Sequence, residues 1–201
     1  MRSRRALVAG AAAIAIVGAF VTVRYLTDQE RVLREIVAAA APSVGRVESI
    51  SMSGRATPMG HAFAIAPGVM VSTCDGLRAN AQVVVKLGAR SVSAHVDKVH
   101  AARNVCRLAV VGAGSWPLRI RSYAPSAGEK VYAALLAPGG ELAVAATEVV
   151  RLVPLEGAQA LELALRGEDV QAGAPVLDRQ GRVVGMLAAG RPLALPAAWL
   201  E

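Results

Sequence analysis

From Ser43 onward the chain is a series of short apolar runs broken by Gly, Pro, Ser and Asn, and that punctuation limits the folds open to it. Residues 44–51, 61–67, 69–73, 81–88, 91–100 and 107–112 read as strands. So do residues 118–123, 130–137, 141–153, 160–165, 174–178 and 182–189. About a dozen such segments, with frequent turn signals and no second long helix, predict an all-β sandwich or barrel. A parallel α/β sheet would need crossover helices, and the pattern provides none. No repeat of fixed period is present. Hydrophobic residues are 54% of the chain but aromatics only 3%. The core must therefore be packed from Val, Leu, Ile and Ala. At 201 residues there is room for one ordinary domain and an appendage.

The appendage is N-terminal. "MRSRRALVAGAAAIAIVGAFVTVRYLTDQE" places three arginines before an uncharged run, Ala6 to Val23. Eighteen residues at helical rise span about 27 Å, close to the hydrocarbon thickness of a bilayer. The arginines should stay cytoplasmic and the rest of the chain should cross. Residues 1–27 are expected to be cytoplasmic arginines and an uncleaved transmembrane helix. A cleaved signal peptide has the same order of charge and apolarity and leads to secretion instead. A buried helix in a soluble protein is a third reading. Residues 28–42 read as a stalk helix: Asp28 caps it, Glu30 suits its first turn, Val32, Leu33, Ile36 and Val37 form one stripe, and Pro42 ends it. Residues 43–201 form the body. The net charge is +7, but four of the 22 basic residues flank the apolar run, leaving 18 basic against 15 acidic residues. With no Lys/Arg run interleaved with aromatics, nucleic acid is excluded as a partner.

In the body, four pieces occur in order: "APSVGRV", "GHAFAIAPGVMVST", "NVCRLAVV" and "VQAGAPVLDRQGRVVGM". Together they resemble the trypsin-like (chymotrypsin-fold) serine proteases, nearest the bacterial high-temperature-requirement group, from about Ala41 to Gly190. The first is similar to the start of that family's first barrel. The second resembles its Gly-x-Gly-Phe strand and the strand that delivers the catalytic histidine. The third resembles the strand delivering the aspartate, and the fourth the nucleophile loop and the hairpin after it. The resemblance implies two antiparallel six-stranded β-barrels with a cleft between them. It places the histidine position on Asp75, the aspartate position on Asn104 and the serine position on Ala172, with gaps of 29 and 68 residues that suit the family. Val170, Gln171 and Gly173 fall where the oxyanion loop would be. Val170 replaces a glycine there, and Ala174 replaces another after the nucleophile.

A triad needs a hydroxyl or thiol nucleophile and a base near neutral pH. A methyl group at 172 cannot attack a carbonyl, and Asn104 cannot stabilise an imidazolium. The three histidines, His61, His95 and His100, match no zinc spacing and read as ordinary surface or half-buried residues; Asp75 and Asp97 form no carboxylate dyad. No metal site and no cofactor are expected. Cys74 and Cys106 flank two triad positions that approach each other in the resembled fold, so the resemblance implies a disulfide between them. Two buried free thiols, or Cys74 as a nucleophile, are the alternatives.

These readings predict a catalytically inactive serine protease homologue. It would sit in a bacterial inner membrane by a single pass, with its body in the periplasm or outside the cell. A peptide or protein partner would bind in the cleft or by strand addition at a barrel edge, around Val170 to Pro175 and the strand at 160–165. An active endopeptidase with a displaced site and a structural envelope protein are the other two readings. Resembled proteases often carry a following peptide-binding domain, and after "RPLALPAAWLE" no room is expected for one.

Overall fold

Alternation of inward and outward side chains closes two sheets on themselves. In the segment QVVVKL, Val83, Val85 and Leu87 are buried, while Gln82 and Lys86 face out. The computed structural model describes residues 28–51, 54–111 and 116–200. The expected transmembrane segment, residues 1–27, lies outside the described residues. Helix α1 covers residues 28–40, ahead of a turn that contains Pro42. Val32, Ile36 and Ala40 are buried at the spacing of one helical face.

The first barrel comprises β1 (Val44–Ile50), β2 (Ala56–Ala66), β3 (Val69–Ser72), β4 (Gln82–Leu87), β5 (Arg90–His100) and β6 (Val105–Val110). It closes in the order β1-β2-β3-β6-β5-β4. The second comprises β7 (Lys130–Leu136), β8 (Leu142–Leu155), β9 (Ala158–Leu163), β10 (Pro175–Leu177), β11 (Val183–Leu187) and β12 (Leu193–Pro196). Its order is β10-β11-β12-β9-β8-β7. Every strand pair is antiparallel. Bulges at Val47/Glu48 and Val96/Lys98 supply the local bending that closure of a small barrel requires. Gly45 makes the β1–β4 seam possible, because a Cβ there would lie 2.6 Å from the Lys86 carbonyl oxygen.

Val47, Val85, Val96 and Leu108 centre the first interior, and Val131, Leu161, Val176 and Leu187 the second. Among the described residues neither interior cluster contains an aromatic ring, as the composition requires. β7 is buried along almost its whole length, since its outer face is covered too.

Two expectations about strands need correction. Residues 118–123 are not a strand but part of the linker between the barrels. Leu118 N–H donates to Ala64 O (2.9 Å), Arg121 N–H to Val183 O (2.9 Å), and Ile120 makes a lone bridge to Val183. The alternation in "LRIRSY" reflects burial of Leu118 and Arg121 against the barrels, not membership of a ladder. The twelfth strand is instead β12, which Pro192 and Pro196 conceal in the sequence; β11 and β9 supply its partners.

A buried charge cluster fixes the linker to the second barrel. The Arg121 guanidinium bonds Glu129, lies 3.8 Å from Asp178 Oδ2 and stacks 3.9 Å from the Tyr123 ring centroid. The hydrogen bond from Arg121 holds the Glu129 carboxyl below its ordinary range. Asp178 accepts from the backbone N–H of Gln180 and Arg182 (2.9 Å each) and from Arg182 Nε (2.8 Å). Removing Asp178 leaves Arg121 paired with Glu129 but takes the acceptor from the Gln180 and Arg182 backbone N–H groups, at a cost of about 1–3 kcal/mol. Asp178→Ala should therefore lose about 2 kcal/mol in urea unfolding. A loss under about 1 kcal/mol would show that the cluster does not hold the linker.

Candidate functional site

β3 ends at Ser72, whose Cα partner on β6 is Cys106. Two residues on, Cys74 forms a disulfide with Cys106, at a Cα–Cα distance of 5.1 Å. The bridge closes a separation of 32 residues, worth about 3–4 kcal/mol in the chain-entropy account. It also brings the loop after β3 against the start of β6. There Asn104 stands in the left-handed region (φ 51°), a conformation asparagine tolerates better than most residues.

Both ends of the Asn104 amide are engaged. Its Oδ1 accepts the Cys74 N–H (3.0 Å), and its Nδ2 donates to Asp75 Oδ2 (3.1 Å). Asp75 and Asn104 are thus brought together. The polarity is the reverse of an imidazole–carboxylate pair: the residue from the β6 side donates, and the residue from the β3 side accepts. Asp75 is an exposed carboxylate, so it can accept hydrogen bonds or meet a cation.

Ala172 lies across the barrel–barrel contact. Its carbonyl accepts the His61 backbone N–H at 2.9 Å. Gly173 has φ +82°, and a Cβ there would overlap the His61 carbonyl oxygen, so only glycine lets the two backbones meet. Gly60 gives way from the other side, where a Cβ would lie 3.2 Å from Ala172 O. Three further ties hold the loop. Gly173 N–H donates to Leu187 O, Val170 N–H to Gly167 O, and the Gln171 amide pairs with both the N–H and the C=O of Leu136 (2.7 and 2.9 Å). The Val170 N–H is thereby engaged within its own segment. Among the described residues no hydrogen bond or ion pair joins the Asp75–Asn104 pair to Ala172.

The sequence did not distinguish His61 as a contact. It does not begin its strand; β2 starts five residues earlier, at Ala56. Nδ1 lies 3.4 Å from Ala172 O, so the Nδ1–H tautomer fits, while Nε2 is buried with no partner among the described residues. Burial holds the imidazole below its ordinary pKa. The backbone hydrogen bond to Ala172 opposes that shift, and Arg46 reinforces it. The one available signal was the glycine at position 60, directly before the apolar run 61–67. His95 and His100 lie half-buried on β5. Asp97 pairs with Arg107 at 3.8 Å.

The nearby hydroxyl on β3 is engaged: Ser72 Oγ donates to His61 O (2.7 Å). Among the described residues no cluster of three or more His, Cys, Asp or Glu could hold a metal ion. The expected free edge at 160–165 is absent from β9, which pairs with β8 on one side and β12 on the other. Barrel closure removes edges that a sandwich would leave open.

Comparison with family models and with curated proteins finds no match. Solved structures do match. The active form of the Rv3671c protease from M. tuberculosis superposes with a TM-score of 0.66 at 21% identity, over 81% of this chain and 79% of that one. Deg5 gives a TM-score of 0.71 at 19% identity, over 85% and 91%. The fold is that of the trypsin-like serine proteases. The HtrA-type protease AlgW with tripeptide gives 0.67 at 16% identity, over 83% of this chain and 60% of that one. At such identities the likeness carries the double barrel of these proteases, not their chemistry.

The titration of His61 has a measurable consequence. Its folded pKa lies below the unfolded value of 6.5, so its neutral form stabilises the fold above that pH. This contribution is lost progressively as the pH falls below 6.5 towards the folded value. Wild type should lose more stability than His61→Gln between about pH 7.5 and 5. Parallel pH profiles for the two proteins would exclude the role.

Proposed function

We propose that the chain is a non-catalytic homologue of the trypsin-like serine proteases, held at a bacterial membrane by its N-terminal segment. Its body would lie in the periplasm or outside the cell and bind a peptide or protein partner in the cleft between the barrels. The reading rests on one observation above all. The residue at the nucleophile position, Ala172, carries only a methyl group, and its carbonyl is bound to a backbone N–H of the opposite barrel. Acyl transfer needs a nucleophile, a base and oxyanion donors. Ala172 supplies no nucleophile, Asp75 bound to Asn104 is a carboxylate in place of an imidazole, and the Val170 N–H is engaged by Gly167.

What remains suits recognition. Closed barrels withdraw most backbone groups from strand addition, which favours the cleft over a barrel edge. The exposed Asp75 carboxylate gives that region an acceptor for a cationic or N–H-bearing partner group. Labelling with a fluorophosphonate probe and turnover of casein test the reading directly. Neither signal should exceed that of a heat-denatured control. Stoichiometric labelling, or casein cleavage that survives rigorous purification, would establish an active hydrolase instead.

A further inference from the structure

Among the described residues the two most exposed large apolar side chains are Val111 and Trp116, at 72% and 70%. Val111 follows the last residue of β6, and Trp116 leads into the linker that crosses the outside of the first barrel. The Trp116 carbonyl is held by Ser43 Oγ, which fixes the backbone while the indole stays in solvent. Immediately after it, Pro117 and Arg119 join Ile65, Val69 and Arg107 around a groove of about 680 Å³.

Two cations, Arg107 and Arg119, line this groove. Arg107 is the direct cross-strand partner of Lys98, and like charges so placed repel. Asp97 is the one carboxylate paired with Arg107 among the described residues, and Lys98 and Arg119 have no ion pair there. Arg107 Nε is buried without a hydrogen-bond partner. Exposed Trp and Val beside under-compensated cations make a surface whose complement is anionic at the level of the cations and apolar beneath the indole. An anionic lipid surface has that profile: phosphates meet Lys and Arg, and Trp sits at the headgroup boundary. A peptide would seek backbone partners. The strands under this face, β3, β5 and β6, already have neighbours on both sides.

From this juxtaposition we infer that the face of the first barrel carrying Trp116, Val111, Lys98, Arg107 and Arg119 docks on an anionic bilayer. It adds a second membrane contact to the anchor proposed for residues 6–23. The two fail separately, because an apolar anchor binds neutral and anionic vesicles alike.

The full chain is reconstituted in phosphatidylcholine vesicles with brominated acyl chains, with or without phosphatidylglycerol. Flotation on the neutral vesicles reports the anchor. Trp116 emission reports docking: Trp116→Phe identifies the signal, and the buried Trp199 is the reference. Quenching should be about threefold greater with phosphatidylglycerol and fall to the neutral level near 0.5 M salt. Arg119→Glu, on the exposed linker, should abolish the difference, and Arg107→Gln should reduce it. Quenching that ignores lipid charge, or an Arg119→Glu protein that behaves as wild type, would overturn the inference. So would a Trp116 response to poly-glutamate without one to phosphatidylglycerol vesicles, which would mark the face as a protein interface.

Discussion

The arrangement of the candidate site depends on one backbone contact between the barrels. The Ala172 carbonyl accepts the His61 N–H, and the contact exists only because Gly173 and Gly60 both lack a side chain where the chains meet. Around it, the Gln171 amide fastens the loop to β7 and the Gly173 N–H fastens it to β11. A loop held at so many points is a strut between two closed barrels. In a protease of this fold the corresponding loop must present donors to a developing oxyanion. Here the Val170 and Gly173 N–H groups and the Ala172 carbonyl are committed to the protein itself.

A second set of fixed contacts joins the loops after β3 and before β6. Asn104 uses both ends of its amide, one on the Cys74 backbone and one on Asp75, so the two loops after β3 and before β6 remain joined without an imidazole. The disulfide one residue away does the same work covalently. A carboxylate in place of Asn104 would set two anions against each other. The pair is therefore self-consistent as it stands.

The barrels were legible because inward-facing Val, Leu and Ile alternate with polar residues along strands such as β4, and because Gly and Pro mark most turns. Alternation misleads at 118–123. There Leu118 and Arg121 are buried by packing and an ion-pair cluster, so a linker carries a strand-like pattern. β12 escaped because it is only four residues long, follows Pro192 and ends on Pro196. Asp75 and Asn104 were located by the order of resembled segments, and their hydrogen bond is a tertiary fact that no local pattern encodes. The contacts of His61 and Gln171 went unread for the same reason: each is made with a backbone group far away in sequence.

Amide hydrogen exchange at His61, Gly173 and Leu136 tests the central claim, that the loop from Val170 to Pro175 is a fixed strut and not a mobile element. All three amides donate to groups that define the strut: His61 to Ala172 O, Gly173 to Leu187 O, and Leu136 to the Gln171 side chain. They should exchange as slowly as interior amides of β2 and β7, opening only with the barrels themselves. Exchange at these positions as fast as at exposed turns, while the strand interiors stay protected, would show a loop free to rearrange and would contradict the account.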